Sequence, residues 1–482
     1  MSNSMALDLA PIREAMAGFD ESSHVRPNEP IGLDRVYFPN GHRGVLDLKR
    51  KLVVGNRGMG KSFWTHALTN FDVRKRIADK YWNKQLEQTK VVIGFNGSDA
   101  KNGATPTKDE IRTVYGTTND TRVIWRAVIL RAVQSVCSDS PIPELQEAIA
   151  DLAANPSFYA EKLTAFDRTI SDRGENILVI FDALDRLADD WDSIRKLTKG
   201  LLEVVLGLQS FLNIRAKVFM RVDQFADADL FQFPDSSKIR NDAVDLTWRP
   251  FDLFGLLLFE IQRSANAGPV LGELASRLGA QSELPSFRNA PPDTQKQEQL
   301  VTAIAGEFMG SSEKRGRVYS WVPLHLSDAA NNCSPRTFLK AWKSAANHAS
   351  PPSSLAVDHL GLIEGVRQAS SARLRELEED YPWIPKVLEP LRSQFVPMEK
   401  ASLFDFWRNA KVVDDILSSS SSGGWLVPIG VVNNHTAEAL LLTMTSIAVM
   451  EERANGKINV PDIFRVEAGI KRKGGVAVPR KK

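Results

Sequence analysis

Cysteine is almost absent from the 482-residue sequence: Cys137 and Cys333 are too few for a disulfide framework or a metal cage. Seven histidines are scattered without ligand spacing, so a metal held by imidazole is not expected either. These absences exclude a disulfide-stapled secreted scaffold and point to a reducing, cytoplasmic location. Long hydrophobic runs are missing too. No stretch approaches the roughly 18 to 20 apolar residues of a membrane span. Met1 to Phe19 interleaves Asp8, Arg13 and Glu14 with its apolar residues and so lacks the apolar core of a signal peptide. No membrane partner is expected. Nor is there an excess of one charge: 61 Lys and Arg against 59 Asp and Glu leave a net charge of +2, and no global field steers the molecule toward nucleic acid. Any such affinity must be local, at the cluster Lys471-Arg472-Lys473 and Arg480-Lys481-Lys482. The sequence carries no internal repeat and no nuclease, protease or deaminase motif.

What is present reads as an ordinary globular protein, 43% hydrophobic and 25% charged, whose length suggests about three domains. The chain is organised around Gly55-Asn56-Arg57-Gly58-Met59-Gly60-Lys61-Ser62, which follows the apolar run Leu52-Val53-Val54 and leads into Phe63-Trp64-Thr65-His66-Ala67-Leu68. It matches GxxxxGK(S/T) in full, with a strand before it and a helix after it. Glycines let the backbone curl so that successive N–H groups point at an anion, and the positive end of the following helix lies behind them. Lys61 is placed to reach the β- and γ-phosphates and the Ser62 hydroxyl to ligate Mg²⁺. A nucleoside triphosphate site is expected from Gly55 to Phe63, with ATP and Mg²⁺ as its cofactors.

After this loop, strands and helices alternate. Val91 to Phe95, Ile177 to Phe181, Lys217 to Arg221 and Ala243 to Trp248 read as strands, with helices at Ile124 to Val136 and Leu201 to Leu212. Ile177 to Phe181 is apolar without alternation, as in a parallel strand covered on both faces. The pattern predicts an α/β fold, a doubly wound parallel sheet over residues 48–250 with ligands at the carboxyl ends of its strands. Residues 1–47 form an N-terminal segment, helical near Pro11 to Phe19 and then punctuated by Pro and Gly, of the kind that packs along the edge of such a fold.

Strand signals then stop. Asp252 to Ser264, Gln299 to Met309 and Pro335 to Ala346 have helical periodicity, which predicts an α-helical lid over residues 251–350 with a loop at Glu283 to Gln297. Linker helices, one at Ser371 to Asp380, are expected over 351–395. In 396–470, a helix at Leu403 to Leu417, a mobile Ser/Gly linker at Ser418 to Gly424, a helix from His435 to Glu452 and an Asn455-Gly456 hairpin predict a winged-helix-like domain. Residues 471–482 are a basic tail.

The strand Ile177 to Phe181 closes on Asp182-Ala183-Leu184-Asp185-Arg186. A carboxylate there faces the phosphate loop. Asp182 suits the metal side and Asp185 the positioning of water, the alternatives being a helix cap for Asp182 and a surface carboxylate paired with a nearby arginine for Asp185. This DALDR run resembles the second motif of KAP and related STAND ATPases, relatives of the AAA+ proteins. Typical AAA+ ATPases place a glutamate directly after the metal-side aspartate, where this chain has Ala183, which favours a slow switch over fast hydrolysis. Arg221, ending the fourth strand, is similar to the STAND sensor arginine that reads the γ-phosphate. Ser334-Pro335-Arg336-Thr337 resembles the second AAA+ sensor, Arg336 coupling the lid to the nucleotide. An ordinary ion pair is the alternative for each arginine.

The resemblance implies a nucleotide-controlled switch, likewise a homo-oligomer, in a bacterial-type signalling or defence role that includes action against phage, with the effector on another chain. A second reading is a DNA-loading or partition ATPase whose winged helix and basic tail hold DNA. A third is a scaffold whose nucleotide is never hydrolysed. The segment His435 to Glu452 contains no Lys or Arg, so protein contact is favoured over base reading, with Arg453, Lys457, Arg465 and the tail left to meet phosphate.

Overall fold

A computed structural model describes residues 7–20, 35–118, 120–284, 293–423, 425–432 and 434–473. Contacts gather the chain into two compact units, one built on the residues up to Thr247 and the other joining the N-terminal helix α1 (Ala10–Ala17) to the residues from Trp248 onward.

The first unit holds a five-stranded sheet of β1 (Leu52–Val54), β2 (Thr89–Phe95), β3 (Asn176–Phe181), β4 (Ile214–Met220) and β5 (Val244–Asp245), in the order β2-β3-β4-β1-β5. Every pairing is parallel: Leu52 lies opposite Val218, Val53 opposite Val244, and Ile177 opposite Ile214. From β1 the chain crosses to the far edge at β2, then returns through β3 and β4 and passes β1 to reach β5. Right-handed crossovers taken in both directions put helices on both faces, which makes the sheet doubly wound. The expected fifth strand, Ala243 to Trp248, contracts to two residues at the sheet edge.

Helix α2 (Lys61–Thr69) follows β1, α3 (Phe71–Tyr81) follows α2, α4 (Thr121–Cys137) lies between β2 and β3, α5 (Trp191–Gly207) leads to β4, and the short α6 (Val222–Ala226) follows it. Trp125 of α4 meets the rings of Phe95 and Phe181 edge-on at 6.2 and 5.6 Å, and its Nε1–H donates to the Leu197 carbonyl of α5 at 2.7 Å. One buried indole thus joins two strands and two helices. Lys217 is wholly buried in β4; its ammonium donates to the Asp47 and Arg50 carbonyls at 3.0 and 2.6 Å, and burial pushes its pKa down to about 7. It ties down the turn that feeds β1.

His42, in the 3₁₀ helix Asn40–Leu46, anchors the other end of this arrangement. Its Nδ1 accepts from the indole N–H of Trp64 at 3.0 Å and its Nε2–H donates to the Thr247 carbonyl at 3.0 Å, so the ring is held neutral. Burial takes its pKa down to about 4, and a second ring proton would face the N–H of Trp64. The folded value lies below the unfolded 6.5. The stabilising contribution is therefore complete above pH 6.5 and is lost as pH falls from 6.5 toward 4, by roughly 3 kcal/mol in all. Melting curves should show that His42→Phe flattens the acid slope of stability between those values. A slope equal to wild type would exclude His42 as its source.

In the second unit, α7 (Pro250–Gln262) and α9 (Pro335–Ala346) pack on α1, α8 (Thr294–Ala305) packs on α7, and α10 (His359–Asp380) packs on α9. The closest pair is α9 with α10, where a Cβ at Gly365 would collide with the Ala341 carbonyl. The expected charged helix at Ser371 begins a full twelve residues earlier, at His359, capped by Asp358, which accepts from Gly361 N at 2.9 Å. The expected loop from Glu283 ends at Asp293, whose carboxylate caps α8; residues 285–292 lie outside the described residues.

The C-terminal part brings four corrections. The single helix expected at Leu403 to Leu417 is two, α11 (Lys400–Asn409) and α12 (Val412–Gly423), broken at Lys411, which takes φ 51°. The Ser/Gly run is no linker: α12 continues through it to Gly423, because Val412, Ile416 and Ser420 fall on one buried face and the Ser418 and Ser420 hydroxyls donate back to the Asp415 and Leu417 carbonyls. Gly424 lies outside the described residues. The helix expected from His435 to Glu452 is α13 (Ala437–Ser446), capped by Thr436 and ended at Ala448, which takes φ 58°. Glu451–Glu452 is already strand. β6 (Phe395–Val396) pairs in parallel with β9 (Lys471–Arg472), while β7 (Glu451–Glu452) and β8 (Ile458–Asn459) form the antiparallel hairpin around Asn455-Gly456, with Met398 joined to Ile458 by a single antiparallel bridge. The beginning of the basic tail is therefore sheet; residues 474–482 lie outside the described residues. No helix among the described residues is long and apolar enough to cross a membrane.

Candidate functional site

The phosphate loop begins where β1 ends. Gly55 N donates to the Met220 carbonyl at 3.1 Å, a last rung between β1 and β4. Gly58 and Gly60 then take φ 82° and 106°, left-handed conformations that side chains resist. Trp64 N donates to the Gly60 carbonyl at 3.0 Å and closes the first turn of α2, which leaves the N–H groups at the start of that helix available to an anion. Lys61 folds over this loop, its ammonium donating to the Gly55 and Asn56 carbonyls at 2.7 and 3.2 Å. Met59 is buried beneath; Asn56, Arg57 and Phe63 are half-buried and Ser62 is exposed. Phe63 packs edge-on against Trp64 with centroids 5.8 Å apart.

Asp182 stands at the end of β3, buried. Its backbone N–H donates to Phe95 O at 2.8 Å; its carboxylate accepts from Ala183 N at 2.8 Å and from the Thr65 hydroxyl at 3.2 Å. Burial pushes the carboxyl pKa up, against the downward pull of the Lys61 ammonium, and burial pushes Lys61 down. Ala183 takes φ 57°, a left-handed turn that directs Leu184–Arg186 into a 3₁₀ turn and brings Asp185 out half-exposed.

Arg221 follows β4, the strand that separates β1 from β3, so it stands between the phosphate loop and the Asp182 to Arg186 turn. Its guanidinium forks onto Asp223 at 3.1 and 3.3 Å, and Nη1 lies 3.5 Å from Asp185. The arginine that meets Asp185 is thus one from another strand end. Lys61, Asp182, Asp185, Arg221 and Asp223 are close enough to act on one another's charge.

No protein-family model and no curated protein matches the sequence. Among solved structures, the ORC2 protein of Aeropyrum pernix, determined in ADPNP and ADP complexes, aligns at 13% identity over 87% of this chain and 85% of its own, with a TM-score of 0.38. Cdc6p of Pyrobaculum aerophilum aligns at 12% identity over 96% of each chain, with a TM-score of 0.31. Scores this low leave the function to be argued from the site itself.

Arg336 belongs to the second unit. It lies in the first turn of α9 beside the cap Ser334, and pairs at 3.1 Å with Glu376, which also takes Arg373 at 3.2 Å. Two members of the site were missed by sequence reasoning. Thr65 lies one helical turn beyond Lys61, a spacing that could have been read as one face of α2. Asp223 follows Arg221 by two residues and had no signal, because its role appears only once α6 turns it back onto the guanidinium.

Proposed function

We propose that this protein is an ATP-binding, slowly hydrolysing P-loop ATPase of the STAND/AAA+ type, acting as a nucleotide-controlled switch or assembly platform for a separate effector protein. One observation carries the reading: Lys61, Asp182 and Arg221 follow three neighbouring strands of one parallel sheet, at the carboxyl ends where such folds bind ligands. Lys61 exchanges its two loop carbonyls for phosphate oxygens, and the N–H groups opening α2 complete the cradle. The hard oxygen donors Ser62 and Asp182 fit Mg²⁺, which would neutralise charge developing on the phosphates. Asp185 orients the attacking water, and Arg221 donates to the terminal phosphate.

The second reading is a DNA-holding ATPase. Three helices followed by the β7–β8 hairpin suit a winged-helix-like module, but α13 carries no base, and the basic side chains around the hairpin are already paired: Arg453 with Glu451 at 3.4 Å, Lys457 with Glu399 at 2.8 Å, Arg465 and Arg472 with Asp462 at 2.7 and 3.1 Å. The Arg453 and Lys457 pairs are exposed enough for an anion to displace, so it is the absence of a base on α13 that favours a protein partner over base reading.

The test is Arg221→Ala, with ATP and ADP affinities measured by calorimetry. ATP binding should weaken by roughly 1.5 to 3 kcal/mol, the worth of one hydrogen bond to a charged group, while ADP binding stays close to wild type. The variant in ATP should then behave in light scattering as the wild type does in ADP. A parallel loss of both affinities would reduce Arg221 to a structural ion pair.

A further inference from the structure

The two carboxylates on Arg221 hold it in different ways. Asp223 takes Nε and Nη2 as a fork and keeps only 6% of its side chain exposed, whereas Asp185 meets the remaining corner, Nη1, and keeps 36%. A buried fork fixes a guanidinium in place. A single, half-exposed pair is the weaker of the two and the one an incoming anion can displace. Asp185 is also the carboxylate best placed, by its exposure and its position after Asp182, to meet water.

We propose that Asp185 and the terminal phosphate of a bound nucleoside triphosphate compete for Nη1 of Arg221. A triphosphate, and not a diphosphate, then takes Asp185 out of its ion pair and leaves the carboxylate to orient water. Asp223 is the positioning residue: its fork keeps the guanidinium at the end of β4 while the opposite corner changes partner. Asp185 thus opposes triphosphate binding before it serves the reaction, and the water-orienting group stays engaged until its substrate arrives. This inference rests on the nucleotide-binding reading of the phosphate loop.

The experiment is a double-mutant cycle read by calorimetry with ADP and with a non-hydrolysable ATP analogue, on wild type, Asp185→Asn, Arg221→Lys and the double variant, each checked for folding by its melting curve. Asp185→Asn should bind the analogue about fivefold more tightly, the scale of a half-exposed ion pair, with ADP unchanged. The gain should vanish in Arg221→Lys, because a single ammonium retained by Asp223 cannot fork to a second partner. If Arg221→Lys does not fold, Arg221→Gln combined with Asp223→Asn removes the charged pair as a unit and serves as the second background. No gain, an equal gain for ADP, or an equal gain in either Arg221 background overturns the competition, the last two marking general relief of negative charge. In those cases the wild type still binds both nucleotides. A wild type that binds neither overturns the phosphate-loop reading, and this inference with it.

Discussion

Lys61→Ala should fold and bind ATP at least about a hundredfold more weakly than the wild type. The side chain sits at the first position of α2, where alanine is well tolerated, so the helix survives its loss. What disappears is an ammonium that donates to the Gly55 and Asn56 carbonyls and would donate to two phosphate oxygens instead. Two hydrogen bonds to charged groups are worth roughly 3 kcal/mol or more together, which sets the hundredfold floor. A second effect has the same sign: the Lys61 ammonium is the charge that most holds down the pKa of buried Asp182, and without it that pKa rises further and the carboxylate is more readily protonated. Calorimetry with ATP and a melting curve on the same preparation decide the matter. Wild-type affinity in a folded variant would remove the phosphate loop from the site.

Asp182→Asn should abolish Mg²⁺-dependent phosphate release and yet not lower the melting temperature. Burial makes the charged carboxylate costly, and its pKa is already displaced upward. An asparagine oxygen can still accept from Ala183 N while its Nδ2–H donates to the Thr65 hydroxyl, which turns from donor to acceptor, so the local geometry keeps both partners while the charge is gone. The loss would then be chemical and not structural, a separation that Asp182→Ala cannot make because it also removes both acceptors. Turnover is read by phosphate release with and without Mg²⁺. Persisting Mg²⁺-dependent release would assign the metal side to another residue.

The phosphate loop could be read from the sequence because its residues are consecutive and each residue type follows from local backbone geometry. The apolar runs that became β1, β3 and β4 were legible for a similar reason: strands buried on both faces need no partner to look apolar, while β2, at the sheet edge, is only half-buried from Val91 to Ile93 and was legible from its composition. Asp223 and Lys217 were not legible in their roles. Each makes its important contact with a group that only the fold brings near, Asp223 with a guanidinium turned back by α6 and Lys217 with carbonyls of the turn before β1. The Ser-rich run failed in the opposite direction. Composition signalled a loop, but two buried residues a turn apart, Val412 and Ile416, outweighed the weak helix propensity of serine.

The order of the strands also bears on the chain as it is synthesised. β1 finds neither of its neighbours in the residues that follow it directly: Leu52 waits for Val218, and Val53 waits for Val244. While β2 and β3 emerge and pair with each other, the strand that carries the phosphate loop has no ladder to join. A chain halted after β3 would carry the complete loop motif and still lack the site, since Gly55 has no Met220 to hold it and Lys61 no Arg221 opposite. A chain that ends between β3 and β4 therefore holds every residue from Gly55 to Ser62 and yet no assembled site.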